Sequence, residues 1–434
     1  MIAAAAELLR QPRTTAALTT AGAGLVLIAF TAQQVTGWAG YVAALVVLSG
    51  LLLLSLLARR DEIDWHWATL PITLLAYLAW VGMSGFWSQY QRVTLASFGY
   101  LLLVTFIGIY IGLSRDTIQI IRSFGDVLRA VLLVSLVLEV LSGIVFDAPL
   151  TALNIGGELA YGGPISGLVS DRNQLGLLAA IGAATFAIEW RTKAIPRRVA
   201  IPSLALAAGT MAFTRSPVVA MVAVVLLAAA AVLYGIRRLP PDRRQVAQYV
   251  VLALLAVGAV LAWVFRVPII GLFNATGELQ FRLELWQSVL VFVPTHWLEG
   301  WGWMGIWNPA IPPYGVLTPT AGRPHDTALN AVVDLWLQVG AVGVVIFLAL
   351  VGFAFTRSWL LAGRRRSVVY TWPALVLVAL IIVSVAESAI LTEAGWMLFV
   401  ICAVKASAEL SWRKALGAIP PPADDTGAIR LPKV

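Results

Sequence analysis

The sequence is short of charge, thiols and imidazoles. Only 12% of its 434 residues are Asp, Glu, Lys or Arg, and it has one cysteine and three histidines; soluble domains carry about 25% charged residues. The single cysteine, Cys402, lies inside an apolar run, which excludes a disulfide framework and a thiol cluster for a metal. A histidine metal site is equally poorly supplied: His66 falls on the side opposite the other two, so only His296 could join His325, and no outward Asp-x-Asp pair accompanies them. What the chain has in excess is apolar residue, 60% of the total, with a mean hydropathy of +0.87. Its apolar stretches repeat at a length of roughly 20 residues, enough to cross a hydrocarbon core of about 30 Å as helices and too long for barrel strands of about 10 alternating residues.

The pattern predicts an all-α polytopic membrane protein of about twelve transmembrane helices: 14–32, 38–57, 66–84, 96–113, 128–146, 173–190, 199–213, 217–236, 247–265, 329–356, 372–390 and 394–410. The first stretch is read as a span, not a signal peptide, because it is long, lacks a clear small-residue cleavage site and is followed at once by another. Residues 1–410 form one expected transmembrane domain, and 411–434, with "PPPADDTGAIRLPKV", read as a disordered cytoplasmic tail. Two connections are long: 147–172, rich in glycine, and 266–328, rich in tryptophan, glycine and proline.

Lysine and arginine concentrate in cytoplasmic loops. Sorting all 30 by alternate loop leaves six on one side, Arg92, Arg172, Arg215, Arg266, Arg282 and Arg323, and the remainder on the other. That bias places both termini in the cytoplasm and both long loops outside. It also accounts for the basic balance of +8 without a nucleic-acid partner.

All six outward cations are arginine, whose planar fork suits bidentate contact with phosphate oxygens. Arg172 stands in "VSDRNQLG" where a span begins, so it is either the partner of Asp171 at a helix start or part of an anion site assisted by free helix N–H groups. Arg215, in "FTRSPVV", occupies a tight turn in which Ser216 can cap and Pro217 can start the next helix; its plain alternative is interfacial snorkelling. Arg282 lies in "GELQFRLELWQSVLVFVP", a helical pattern too short to span and expected at the interface, where Glu278 four residues earlier offers a surface ion pair. The following "PTHWLEGWGWMGIW" has the tryptophans of an aromatic belt at headgroup depth, with His296 among them.

"AGRPHDTALN", residues 321–330, gathers Arg323, His325, Asp326 and Asn330 beside a long apolar helix. Histidine can transfer a proton near neutral pH, and a neighbouring Arg323 favours its neutral form. Asp326 could cap a helix beginning near Thr327, and the plain account of His325 is a histidine in that capping loop. Glu387 is an acid at the outer end of a span, where such residues usually face a partner or a polar cavity. Glu139 and Asp334 are expected to be structural partners.

In order along residues 165–395, "DRNQLG", "TRSP", "RLELW" with "GWG", and "HDTAL" with "GAVG" resemble the motifs of the O-antigen ligase family, and Glu387 sits where that family carries a late acid. Asp326 stands where the family usually has Asn. The resemblance implies a GT-C-like bundle shared with O-antigen and exopolysaccharide polymerases. It implies an inverting glycosyltransferase of the bacterial inner membrane that takes a glycan from undecaprenyl diphosphate to an acceptor hydroxyl, on lipid A core or another surface glycan, at the periplasmic face. Neither metal nor cofactor is implied; the partners are the lipid-linked donor, the glycan acceptor and membrane lipids. Arg215 and Arg282 would bind the diphosphate with help from Arg172, and His325 would activate or position the acceptor hydroxyl. Glu387, Asp326, Asn173 and Arg323 take supporting roles. A polymerase of the same fold is the near alternative. A lipid transporter fits less well, because its polar groups belong near the bilayer midplane, and a noncatalytic scaffold has no need of outward arginines beside a histidine.

Overall fold

Long runs of Leu, Val, Ala and Ile without interior charge have one way to satisfy every backbone group in lipid, which is the α-helix. The computed structural model describes residues 7–60, 70–169, 171–265, 276–319 and 325–409, with Pro268 and Gly271, and is helical throughout. We number the principal helices α1 (Pro12–Leu27), α2 (Ala29–Ala58), α3 (Ile72–Met83), α4 (Gln91–Ser114), α5 (Thr117–Val140), α6 (Arg172–Arg191), α7 (Arg197–Phe213), α8 (Pro217–Arg238), α9 (Pro241–Val264), α10 (Thr276–Phe292), α11 (Ala331–Arg364), α12 (Thr371–Val383) and α13 (Glu393–Glu409). Among the described residues five helices are long and apolar enough to cross a membrane: α2, α4, α5 with its π-helical extension to Val145, α8 and α11. Residues 72–86 and 368–383 are shorter apolar helices. The chain is a multi-pass membrane protein, and the expected tail beyond Glu409 lies outside the described residues.

The two apolar helices nearest the C-terminus form the centre. From Ala394 to Val404 every residue of α13 is buried, as is every residue of α12 from Thr371 to Leu380. Helices apolar on all sides belong in a bundle's interior. Their indoles find partners there: Trp396 Nε1 donates to Thr105 Oγ1 at 2.7 Å and Trp372 Nε1 to Thr185 Oγ1 at 2.9 Å. The peripheral helices turn apolar side chains outward instead; Val46, Val47, Leu51, Leu53, Leu54 and Leu57 of α2 are all exposed, as a lipid-facing surface requires.

One interruption sets the position of everything above it. Helix α11 breaks at Gly340, with φ 68° and ψ −177°, a conformation essentially reserved for glycine. The segment carrying "GWG" crosses the break and supplies the missing hydrogen bonds. Trp301 N donates to Leu337 O at 2.9 Å and Gly302 N to Gln338 O at 2.8 Å, while Ala341 N and Val342 N donate to Trp297 O and Leu298 O at 2.9 and 3.2 Å. Approach is so close that a Cβ on Gly340 would lie 2.1 Å from Leu298 O and one on Gly300 2.4 Å from the Gln338 carbonyl carbon. Two of the motifs behind the family resemblance, "GWG" and "GAVG", are thus one structural joint.

That joint corrects the aromatic-belt expectation. Trp297 is exposed, but Trp303 is buried in the main core of the bundle and Trp307 in a smaller core with Leu285, Met304, Tyr314 and Leu337. His296 is bonded through Nδ1 to Glu299 Oε1 at 2.9 Å and its ring meets Trp301 edge-on at 4.8 Å. The segment is a packed cap over one end of the bundle, held by indole donors and the buried carboxylate of Asp334, which accepts from Trp307 Nε1 at 2.8 Å and Gln338 Nε2 at 2.9 Å.

Candidate active site

Asp171 caps α6 by accepting from Gln174 N at 2.7 Å, which leaves Arg172 and Asn173 in the first turn, facing the cap. Asn173, buried, then links three elements: its Nδ2 donates to Glu387 Oε1 at 2.6 Å and its Oδ1 accepts from Ser216 Oγ at 2.5 Å. Ser216 also caps α8, accepting from Val219 N at 3.1 Å. The turn between α7 and α8 is therefore locked to the start of α6 and to the segment after α12.

Arg282, on α10, enters the same network. Its Nη2 donates to Glu387 Oε1 at 2.9 Å, its Nε to Ala386 O at 3.0 Å, and its Nη1 lies 3.5 Å from Glu278 Oε2. The Glu278 expected as a simple surface partner is more than that: its other oxygen takes Arg172 Nη2 at 2.7 Å, so one carboxylate bridges two guanidinium groups. Glu278 keeps a side-chain exposure of 26% whereas Arg282 keeps 8%, so the exchangeable partner is the carboxylate. Burial pushes the Glu387 carboxyl up to about 8, with the Asp171 charge adding to it and Arg282 and Asn173 opposing.

His325 stands at the edge of this network. Its ring packs edge-on against Phe281, the residue before Arg282, at a centroid distance of 5.7 Å, and against Trp307 at 5.8 Å. The loop carrying it is pinned by Trp307 N donating to Asp326 O at 2.7 Å, Trp286 Nε1 to Ala328 O at 2.9 Å, and Asn330 Nδ2 to Val385 O at 3.0 Å, two residues from Glu387. Asp326 does not cap the following helix. That helix begins at Ala331 with Asn330 as its cap, accepting from Val332 N and Val333 N at 3.0 and 3.1 Å, because the strained turn at Leu329, φ 48°, delays the helix by one turn. Asp326 instead lines a cavity of about 440 Å³ together with Asp171, Asn173, Glu387, Gln33 and Glu393.

Of the remaining expected residues, one is not described and one stands apart. Arg323 lies outside the described residues. Arg215 is exposed, takes a positive φ of 48°, and lays its guanidinium beside Gly162 of the long loop before α6, where a Cβ would be 3.0 Å from Nη2. Its sequence neighbour Ser216 is in the network, and the loop it touches is tied to the same turn by Ile165 N donating to Phe213 O at 3.2 Å. That loop is also held from below by Glu139, which accepts from Ser166 N and Gly167 N, each at 2.8 Å.

Sequence reasoning missed the bridging role of Glu278, the Ser216 contact, and Gln33 and Glu393 at the cavity wall. Glu278 gave a signal, an acid four residues before an outward arginine; Gln33 and Glu393 gave none, since each stands alone at a helix end remote from the other motifs.

A bundle of membrane-crossing helices, capped at one end by a packed aromatic segment and carrying an arginine–carboxylate network with a histidine beside it, defines a membrane protein with a polar site at one surface. Residues 199–348, about a third of the chain, match the family model described as O-antigen ligase, so this stretch is similar to that family. The matched stretch contains Arg215, Arg282, His325 and Asp326; Arg172, Asn173 and Glu387 lie outside it. That likeness supports a role in glycan assembly in general. A comparison with curated proteins gave no match.

Proposed function

We propose that the chain transfers a glycan from undecaprenyl diphosphate to a hydroxyl of lipid A core or another surface glycan, at the periplasmic face of the bacterial inner membrane, through a GT-C-like bundle crossing the bilayer about twelve times. The observation that carries this reading is the Arg172–Glu278–Arg282 bridge: two guanidinium groups share one half-exposed carboxylate, at 2.7 and 3.5 Å. A diphosphate has the charge and the oxygen spacing to take the place of Glu278 between them. Glu387 and Asn173 stay behind to keep Arg282 aimed.

In the reaction the acceptor oxygen attacks the anomeric carbon from the face opposite the diphosphate, so the new C–O bond forms as the bond to the phosphate oxygen breaks and the configuration inverts. The leaving group departs as undecaprenyl diphosphate with its added negative charge on Arg172 and Arg282; a part for Arg215 would require its guanidinium to leave Gly162. His325 takes the proton of the acceptor hydroxyl. Asp326, one residue on, faces the cavity through which an acceptor sugar would approach. No step needs a divalent ion, since guanidinium groups provide the positive charge at the diphosphate.

Purified chain incubated with a radiolabelled undecaprenyl diphosphate glycan and lipid A core tests the reading. A single-step product on lipid A core is expected. A ladder of repeat units without core-linked product would move the assignment to a polymerase, and no transfer to any acceptor would overturn it.

A further inference from the structure

Helices α8 and α11 both start at the site, at Ser216 and Asn330, and both end at the opposite pole of the bundle. At 1.5 Å per residue the 22 residues of α8 carry the chain about 33 Å, the depth of a hydrocarbon core. At that far pole Arg237, Arg238, Arg244, Arg364 and Arg366 line a cavity of about 980 Å³ in which, among the described residues, no carboxylate takes part.

Two of these arginines are structural. Arg237 donates through Nη1 to Ala362 O at 2.6 Å and Arg365 O at 2.9 Å, and through Nη2 to Arg366 O at 2.5 Å. Arg244 donates through Nε to Leu239 O at 3.0 Å and through Nη1 to Gly363 O at 3.2 Å. Together they satisfy the carbonyls left open where α8 and α11 end, which fixes the geometry of the basin. The other three, Arg238, Arg364 and Arg366, are exposed; Arg238 rests on the Tyr234 ring at 4.2 Å. Retention of positive charge on one membrane side explains why arginines are at this pole. It does not explain a concave basin lined by five of them and, among the described residues, by no carboxylate.

The wall of the basin identifies its occupant. Tyr249 lines it from α9, and the same helix presents Val250, Leu252, Leu254, Val257, Val260 and Leu261 outward, all exposed. A phosphate seated in the basin would have an apolar rail running from it along the bilayer normal, which suits acyl chains and is of no use to a free ion. We propose that this basin binds the headgroup of an anionic phospholipid of the leaflet opposite the candidate active site, with its acyl chains along α9. Clusters of basic residues between helices at that surface are suited to such headgroups. The inference is independent of the proposed reaction.

The test is native mass spectrometry of the full chain released from detergent after exchange with an equimolar mixture of phosphatidylglycerol, cardiolipin and phosphatidylcholine. The wild type is expected to retain the anionic lipids over phosphatidylcholine by about tenfold or more, and Arg238→Gln/Arg364→Gln/Arg366→Gln to lose that preference. Arg197→Gln/Arg198→Gln, which removes exposed charge elsewhere from α7, is expected to keep it. A wild type without preference, a triple variant that keeps it, or an equal loss in the α7 variant would overturn the proposal. Displacement of the lipid by millimolar inorganic phosphate would also overturn it, by making the basin a free-phosphate site.

Discussion

The Arg282 guanidinium reaches the Glu387 carboxyl at 2.9 Å across 105 residues of chain, and Asn173 reaches the same oxygen at 2.6 Å from the other side. One oxygen therefore ties together α6, α10 and the segment after α12. Arginine stays charged at any working pH, so removing its buried partner is expensive. Below about pH 8 the Glu387 carboxyl is a neutral acceptor for Arg282, so Glu387→Ala is expected to cost about 1–3 kcal/mol in detergent unfolding, while Arg282→Met/Glu387→Leu, which removes both polar groups, recovers most of the loss. Simple additivity of Arg282→Met and Glu387→Leu, each measured alone, would show that the groups do not couple. Neither variant is expected to transfer glycan.

Glu387 also sets a pH dependence. Its carboxyl titrates at about 8 in the folded chain against an ordinary value of 4.5, so between those values the folded state binds more protons than the unfolded one. Stability contributed by this group is then full below about pH 4.5 and declines as pH rises towards 8. Melting temperatures measured from pH 5 to 8 should fall less steeply for Glu387→Gln than for the wild type. A wild-type stability that rises with pH through this window, with the rise abolished by Glu387→Gln, would mean that Arg282 outweighs burial.

Gly340 is the hinge on which the cap rests. Any side chain there meets the Leu298 carbonyl at 2.1 Å and occupies a backbone conformation costing about 1–3 kcal/mol by itself. Gly340→Ala is expected to lower the unfolding midpoint and to expose Trp303 and Trp307, now 1% and 3% exposed, to a polar quencher. Unchanged tryptophan quenching would show that the cap does not depend on the joint.

Much of this was legible in the sequence, and the reasons differ by residue. Arg172 and Arg282, picked because they break the expected retention of arginine on one side, meet at one carboxylate, whereas Arg215, picked on the same ground, lies against Gly162 instead. Ser216 and Pro217 announced the start of α8, which begins where their chemistry requires. The tryptophans misled, because an indole at headgroup depth and a buried indole have the same local pattern; only Gln338, Asp334 and the break at Gly340, all distant in sequence, decide between them. The helix after His325 was expected one turn early for a similar reason, since Asp326 and Asn330 are both good caps and the turn at Leu329 selects the second. Glu393 and Gln33 join the cavity wall through a contact 360 residues apart in sequence, which no local reading can find.

Sidedness is open to a direct chemical check, because the native thiol, Cys402, is fully buried and silent. Tyr161→Cys, at a position 81% exposed in the loop before α6, should label with a membrane-impermeant maleimide on intact cells, whereas Arg364→Cys should label only after permeabilisation. The reverse pattern would put the candidate site in the cytoplasm.

The most direct test of the proposed reaction is acceptor-dependent release of undecaprenyl diphosphate by the purified chain in the presence of a chelator, compared between the wild type and His325→Ala. The wild type is expected to release one undecaprenyl diphosphate per glycan transferred, and His325→Ala to do so at least about 100-fold more slowly while still binding donor. An unchanged rate in His325→Ala, or release that ignores the acceptor, would contradict the account.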